Sequence, residues 1–150
     1  MAHRERGITL LELVVVGAVI AILAGIAVPA YRGHVLRANR TEGRAALLAL
    51  ATAQEKFYLQ CNSYAVTLNP DAETVCDKGN LRFPTSSERG YYDITVSAAD
   101  ANGWAAEAAA TGSSPQLDDA RCRRFGLTST GAMNARTAAG TPNDGECWAR

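Results

Sequence analysis

The N-terminal apolar run constrains the fold of this 150-residue chain more than any other feature. It reads GITLLELVVVGAVIAILAGIAVPAY, from Gly7 to Tyr31, and Glu12 is the only acidic or basic residue within it. A carboxylate in an apolar membrane helix costs roughly 2.5 to 3.5 kcal/mol at the bilayer centre. Glu12 is therefore a candidate for a functional role.

The run is long enough to cross a membrane as a helix. Residues Ile8 to Val28 would extend about 31 Å, close to the roughly 30 Å of the hydrocarbon core. The alternative is an ordinary secretory signal, with an apolar region of about 7 to 15 residues and a small-residue cleavage site, for which 25–27 would serve. Glu12 argues against that alternative because it would only weaken a signal that is discarded.

Basic residues and cysteines indicate the same orientation. Arg4 and Arg6 precede the run, which places the N-terminus in the cytoplasm by the positive-inside rule. All cysteines follow the run, on the side expected to be oxidising, so the sequence predicts two disulfides, for which three connectivities exist. These cysteines are Cys61, Cys76, Cys122 and Cys147. Zinc is the rival ligand, but no two cysteines have the spacing of a zinc knuckle.

The charged residues indicate no catalytic or nucleic-acid chemistry. Fifteen Lys and Arg balance fifteen Asp and Glu. His3 and His34 belong to no recognisable nucleophile or metal constellation, and no glycine-rich stretch has the context of a phosphate loop. Asp118 and Asp119 adjoin turn residues and are interpreted as a solvated loop rather than a calcium site. No enzyme activity, catalytic residue, metal or cofactor is expected.

Beyond the run, the pattern predicts a continuing helix and then a sheet. Pro29 is expected to bend or break the helix, which becomes amphipathic and ends near CNSY at 61–64. Its apolar stripe, spaced by three, four and seven, comprises Leu36, Gly43, Ala46, Leu47, Leu50, Ala53 and Phe57. Arg40 falls on a different face. We expect one antiparallel sheet laid on this helix, an α+β fold.

Three segments carry strand signals. YYDITVS at 91–97 alternates at strand period, and DANG at 100–103 contains an Asn-Gly turn pair. The alanines of WAAEAAAT favour a helix, but the preceding turn favours the second arm of a hairpin, and we assign a strand. CRRFGLT at 122–128 is again typical of a strand.

The leader resembles that of type IV pilins and the related pseudopilins: a short basic segment, a glycine, then an apolar run with glutamate at its fifth position. The resemblance implies that a prepilin peptidase cuts after Gly7 and methylates the amine of Ile8, where the family usually has Phe or Met. It implies that Glu12 acts in subunit assembly by meeting a neighbour's N-terminal amine, and that the helix bends at Pro29.

The resemblance also implies an organisation and a set of partners. Residues 1–7 would be the leader peptide, 8–29 the transmembrane and filament-core helix, and 30–150 a periplasmic globular domain. The chain would cross the inner membrane once and later join an extracellular pilus. The expected partners are the prepilin peptidase, other major and minor pilins, and the inner-membrane assembly machinery.

Downstream segments resemble minor pilins of the PilE type: RANRTEGRAALLALATAQEKFY, LTSTGAMNA and the terminal ECWAR. They imply a type IV pilin fold and a structural subunit that acts in pilus assembly, adhesion and twitching motility. The cysteines fit the pairing of Cys61 with Cys76 and of Cys122 with Cys147, and the second pair resembles the bond that closes the C-terminal loop of pilins.

Two alternatives remain open, a type II secretion pseudopilin and a binding pilin for DNA uptake or adhesion. For DNA, Arg121, Arg123 and Arg124 would neutralise phosphates and Phe125 would stack on a base. Arginines around a disulfide are more often a solvated sheet edge. From Cys61 to Ala120 three basic residues face nine acidic ones, and this acidic middle of the chain would repel phosphate. DNA is therefore not the expected partner.

Overall fold

The computed structural model describes residues 9–74 and 76–149. Gly7 and Ile8 lie outside the described residues, so cleavage and methylation there stay predictions. The chain divides into two compact units, Met1–Val35 and Leu36–Arg150.

Helix α1 (Leu10–Cys61) begins in the first unit. The hydroxyl of Thr9 accepts a hydrogen bond from the backbone N–H of Glu12 at 3.2 Å, which is an N-cap contact. By length and composition α1 is able to cross a membrane. The helix continues through Pro29, so the expected break is absent. A bend at Pro29 stays a prediction.

In the second unit, α1 buries the predicted stripe. Gly43, Leu47, Leu50 and Phe57 are buried, and the other three stripe residues are half-buried. Three polar residues are buried on α1 as well: Asn39, Arg40 and Gln54. Arg40 was predicted to lie on a different face from the apolar stripe, but it is buried with it, so that prediction was wrong.

The strands and the second helix are β1 (Thr67–Leu68), β2 (Asn80–Leu81), β3 (Tyr92–Ala99), β4 (Trp104–Ala110), β5 (Arg124–Thr128), β6 (Met133–Arg136) and the short helix α2 (Asp144–Trp148). A four-stranded antiparallel sheet forms the other layer, in the order β3-β4-β5-β6. The two very short strands β1 and β2 make a separate parallel pair that the sequence did not predict. β4 and β5 lie within predicted strand segments, and β3 overlaps the segment predicted at 91–97 and continues to Ala99.

The alanine-rich strand β4 packs well because its buried positions alternate. Trp104, Ala106 and Ala108 are buried, and the residues between them are half-buried. On α1, the absence of a side chain at Gly43 lets the helix approach the Tyr92 ring of the sheet closely. A Cβ on Gly43 would lie 3.1 Å from a ring carbon of Tyr92, so a larger residue there would displace this fully buried ring.

The DANG turn between β3 and β4 depends on its aspartate. The carboxylate of Asp100 accepts hydrogen bonds from the N–H groups of Asn102 at 2.6 Å and Gly103 at 3.0 Å. Neither Asn102 nor Gly103 has a positive φ. The predicted turn is present, but an Asx-type contact forms it rather than the conformational freedom of the Asn-Gly pair.

Two disulfides join cysteines that are neighbours in sequence, as predicted. Cys61 pairs with Cys76 and fixes the end of α1 to the segment before β2, with a Cα–Cα distance of 5.2 Å. Cys122 pairs with Cys147 and ties α2 to the segment before β5, with a Cα–Cα distance of 5.5 Å. Because all four cysteines of the sequence are paired, the zinc alternative is wrong.

We expect no free thiol in the native protein. The measurement is alkylation of the unreduced, denatured chain followed by peptide mapping, with a reduced sample as the control. Linked peptides should contain Cys61 with Cys76 and Cys122 with Cys147. A peptide that links Cys61 to Cys147 would contradict this pairing.

Candidate functional site

The first candidate site is the N-terminal segment of α1. Its side chains are exposed on every side in a single chain. If Glu12 pairs with a neighbouring subunit, the apolar residues near it would pack against that subunit, and four of them are exposed here: Leu10, Leu13, Val16 and Ile20. Glu12 is the single acidic residue in the first turn, where the helix dipole favours a negative charge. The segment thus presents a large apolar surface with one carboxylate near its start.

The second candidate site is a set of polar contacts that fix loops onto α1 in the second unit. Gln54, which is fully buried, donates to the carbonyl of Ala65 and accepts from its N–H, both at 2.8 Å. Gln116, also fully buried, donates to the hydroxyl of Tyr92 at 2.9 Å and to the carbonyl of Leu36 at 3.2 Å. Burial raises the pKa of Tyr92 to about 12, so its hydroxyl stays protonated near neutral pH.

Glu42 fixes the turn before β3. Its carboxylate accepts from the hydroxyl of Ser87 at 2.5 Å and from the backbone N–H and Nε of Arg89 at 2.9 and 3.0 Å. Ser87 in turn accepts from the N–H groups of Tyr91 and Tyr92, both at 3.0 Å. Burial raises the pKa of Glu42, but the hydrogen bonds from Ser87 and Arg89 outweigh it, so the pKa lies below its ordinary value.

Arg40 and Asp119 form a buried ion pair between α1 and the loop before β5. Nε lies 2.7 Å from one carboxylate oxygen and Nη2 3.0 Å from the other, and the two side chains are 8% and 3% exposed. Asp119 also accepts from the N–H groups of Arg121 and Cys122, both at 3.1 Å. The interpretation of Asp119 as a solvated residue was wrong, whereas Asp118 is exposed as expected.

The pKa of the Asp119 carboxyl lies below its ordinary value. Burial raises this pKa. The hydrogen bonds from Arg40 and from the backbone N–H of Cys122, together with the charge of Arg40, lower it by more than burial raises it. The pair therefore stays ionised at neutral pH and fixes the loop before β5 to α1.

The C-terminal loop closed by Cys122 and Cys147 rests on the same region of α1. Glu146 pairs with Arg121 at 2.9 Å and lies 3.7 Å from Nη1 of Arg40. Arg44 donates to the carbonyl of Ala149 at 2.8 Å. These contacts dock helix α2 and the last described residues against α1.

The arginine group suggested for DNA is arranged differently from the sequence-based hypothesis. Phe125 is 0% exposed and packs edge-to-face against Tyr92 and Trp148, so it is not available to stack on a base. Arg121 and Arg124 are paired with glutamates but remain 71% and 55% exposed. Arg123 donates to the carbonyl of Leu117.

The structural roles of Arg40, Gln54 and Asp119 were not predicted from the sequence. A signal existed for two of them, because Arg40 precedes Gly43 by three residues and Gln54 precedes Phe57 by three, positions on or beside the buried stripe. A polar residue within an apolar stripe marks a buried group that needs a partner.

Comparison with known proteins identifies the family. A sequence model described as "Type IV minor pilin ComP, DNA uptake sequence receptor" matches residues 29–126. The chain belongs to the type IV minor pilin family. This minor pilin has the predicted α+β pilin fold, with a long N-terminal helix on an antiparallel sheet and a C-terminal loop closed by a disulfide.

Several relatives share parts of their sequence with this minor pilin. The type IV major pilin protein PilA of Myxococcus xanthus (strain DK1622) is 42% identical over 62 residues, 41% of this chain and 28% of the relative. A fimbrial protein of Dichelobacter nodosus is 32% identical over 108 residues, 69% of this chain and 65% of the relative. The type II secretion system core protein G of Pectobacterium carotovorum subsp. carotovorum is 34% identical over 65 residues, 43% of this chain and 42% of the relative.

The minor pilin therefore spans between 28% and 65% of the length of these relatives. Among solved structures, the non-core minor pilin PilV of Neisseria meningitidis is similar, with a TM-score of 0.49 and 17% identity. That likeness covers 69% of this chain and 89% of the PilV chain.

Proposed function

We propose that this minor pilin is a structural subunit of a type IV pilus and acts in pilus assembly, and through it in adhesion and twitching motility. The observation that carries the proposal is the exposed apolar segment of α1 with Glu12 in its first turn. Such a surface is covered either by lipid or by other apolar helices. A subunit that moves from membrane to filament meets both conditions in succession.

The proposal includes a location and a set of partners. The mature chain would cross the inner membrane once, with its N-terminus cytoplasmic and its globular domain periplasmic, and then enter the extracellular pilus. A prepilin peptidase would process it, and the inner-membrane machinery would assemble it with major and minor pilins. Arg4, Arg6 and the position of the disulfides support this orientation.

The mature protein should begin at Ile8 and carry one methyl group on its amine. Intact mass spectrometry of membrane-extracted protein measures this directly, and cells that lack the peptidase provide the control, in which residues 1–7 should be retained. A mature N-terminus at Val28 would instead establish an ordinary cleaved signal.

The function itself is tested by the protein composition of sheared pili. The mature chain should be found in purified pili as well as in membranes, and its amount in pili should fall when pilus assembly is blocked. If the chain stays in membranes while other pilins fill the sheared filaments, the secretion pseudopilin becomes the better interpretation. The secretion pseudopilin is the alternative to test because this chain is 34% identical to the type II secretion system core protein G over 65 residues.

DNA binding is a second candidate, which the description of the matching family favours. With Phe125 buried, binding at the arginine group would depend on phosphate contacts from Arg121 and Arg124. Such binding must weaken steeply as salt rises. Titration of the full chain with duplex DNA over a salt series, with Arg121→Ala and Arg124→Ala for comparison, tests it.

A further inference from the structure

The two disulfides of this minor pilin differ in their exposure to solvent. Cys122 and Cys147 are 0% and 1% exposed and belong to the hydrophobic core. In the other disulfide, Cys61 is half-buried and Cys76 is exposed. We call these the buried bond and the exposed bond. A disulfide is reduced when a thiolate attacks one of its sulfurs, so the rate depends on access, and the exposed bond is the one that a thiolate reaches in the folded chain.

The buried bond stays closed to solvent because its neighbours are fixed on both sides. The backbone N–H of Cys122 donates to the carboxylate of Asp119 at 3.1 Å. Trp148, which follows Cys147, donates from Nε1 to the carbonyl of Asn134 at 2.8 Å. Exposure of this bond therefore requires helix α2 to move away from β6.

The exposed cysteine lies in a short turn that few other contacts fix. Cys76–Lys78 is a single 3-10 turn without a buried residue. The N–H of Gly79 donates to the carbonyl of Cys76 at 2.9 Å, a bond that closes the turn itself. Within the described part of the chain, no ion pair joins Asp77 or Lys78 to another residue. The exposed bond is thus the contact that fixes this turn to the end of α1.

The residues on both sides of the turn are fixed independently of the exposed bond. Gln54 makes its two hydrogen bonds of 2.8 Å to the backbone of Ala65. The N–H groups of Val66 and Thr67 both donate to the carbonyl of Gly79 at 3.0 Å, where the parallel pair of β1 and β2 begins. Because neither cysteine takes part in these contacts, opening of the exposed bond should release the turn and leave the fold in place.

We propose that the exposed bond between Cys61 and Cys76 is a site of reversible thiol–disulfide exchange with a dithiol, in which the buried bond takes no part. The exchange switches the turn Cys76–Lys78 between a form tied to α1 and a released form. The proposal goes beyond the entry of the chain into pili and does not depend on it.

The exchange has two steps, and both balance. A thiolate of the dithiol attacks Sγ of Cys76, the S–S bond to Cys61 breaks, and Cys61 leaves as a thiolate, so a mixed disulfide forms. The second thiolate of the dithiol then attacks the dithiol's own sulfur in the mixed disulfide and releases Cys76 as a thiolate. The dithiol is oxidised to a disulfide, the exposed bond is reduced by the same electron pair, and the protons of the dithiol end on the two cysteines.

Timed reduction of the folded full chain in detergent with dithiothreitol tests the proposal. Free thiols are alkylated at each time point, and peptide mapping gives the reduced fraction of each bond. The exposed bond should be reduced at least about tenfold faster than the buried bond. In guanidinium chloride the two rates should agree within about threefold, because burial no longer distinguishes the bonds. Equal rates in the folded chain, or faster reduction of the buried bond, overturn the proposal.

Reduced thioredoxin replaces dithiothreitol in a parallel sample and identifies the kind of dithiol. Reduction by both reagents shows that the dithiol of a protein reaches the exposed bond. Reduction by dithiothreitol alone assigns the exchange to small dithiols.

Reversal is measured on the same samples. Removal of dithiothreitol and addition of oxidised glutathione should restore the exposed bond, with Cys61 again linked to Cys76. Formation of other linkages in its place contradicts a reversible site.

Proteolysis after lysine distinguishes release of the turn from unfolding. The chain has two lysines, Lys56 within α1 and Lys78 in the turn, so a lysine-specific protease has two sites. Selective reduction of the exposed bond should speed cleavage after Lys78 by at least about fivefold and leave cleavage after Lys56 unchanged. The fluorescence of Trp104 and Trp148 should not change. Faster cleavage after both lysines, or unchanged cleavage after Lys78, overturns the proposal.

The double variant Cys61→Ser with Cys76→Ser is the control. It lacks the exposed bond, so cleavage after Lys78 should be fast without dithiothreitol and should not change when dithiothreitol is added. A response to dithiothreitol in this variant would place the switch at the buried bond and overturn the proposal.

Discussion

Asp119→Ala should lower the free energy of unfolding by roughly 3 to 5 kcal/mol, the range for breaking a buried ion pair by removal of one partner. The reason is the guanidinium of Arg40, which is 8% exposed and would stay buried without its carboxylate. The variant also removes the acceptor of two backbone N–H groups, those of Arg121 and Cys122. Denaturant unfolding of the full chain in detergent, followed by the fluorescence of Trp104 and Trp148, measures the change.

The neighbouring aspartate provides a matched control. Asp118 is exposed, so Asp118→Ala should change the stability by no more than about 0.5 kcal/mol. A double variant, Arg40→Met with Asp119→Leu, replaces the pair with apolar side chains of similar size. It should recover much of the loss, because no charge is left buried. Equal stability of the Asp118→Ala and Asp119→Ala variants would contradict the role of the pair.

The contribution of Asp119 should also depend on pH in a defined direction. Its pKa in the folded protein lies below its ordinary value, so its stabilising effect is fully present above the unfolded pKa of about 3.9. The effect is lost as the pH falls through the lower pKa of the folded state. The stability difference between the native protein and Asp119→Asn should therefore shrink on acidification below about pH 4. Glu42 titrates in both proteins and cancels in this difference.

Local patterns in the sequence were sufficient for most of the secondary structure. The helix end at Cys61, strand β3 and strand β4 depend on periodicity and turn residues within a few positions of one another. Two disulfides were predicted from the compartment, and the bond between Cys122 and Cys147 also from family resemblance; the structure contains both predicted bonds. The parallel pair of β1 and β2 was missed because two-residue strands carry no periodic signal.

The buried polar contacts were missed for a different reason. Arg40 and Asp119 are separated by 79 positions, and neither residue indicates alone that the other will neutralise it. The role of Phe125 was wrong because the arginines around it were considered without the strand alternation. Phe125 and Leu127 point to the core, whereas Arg124 lies on the exposed face. The alternation of a strand therefore predicts whether an aromatic residue is buried or exposed better than the charges beside it do.

Glu12→Ala should reduce entry of this minor pilin into pili by at least about tenfold, which corresponds to 1.4 kcal/mol, while synthesis and membrane insertion remain normal. Removal of the leader would leave a charged amine on Ile8, about one helical turn from Glu12. In the membrane both charges lie near one end of the span, where water and headgroups solvate them. In a filament the apolar helices pack together, and each charge then needs a partner of opposite sign.

Glu12→Gln distinguishes charge from shape. It keeps the size of the side chain and loses its charge, so we expect nearly the same defect as for Glu12→Ala. Neither variant disturbs the helix start, because the N-cap contact joins Thr9 to the backbone N–H of residue 12 and not to its side chain. Glu73→Ala, which removes an exposed carboxylate far along the chain, is the control and should enter pili normally.

The measurement is the amount of subunit in sheared pili divided by the amount in membranes, for each variant. A neighbour's amine would attract Glu12 and set the axial register, after which Leu10, Leu13 and Val16 would hold the subunit by apolar contact. Entry of Glu12→Ala at the normal level would show that this subunit does not use the pairing. A position at the filament tip, where no subunit lies ahead to supply an amine, would then explain how it joins the pilus.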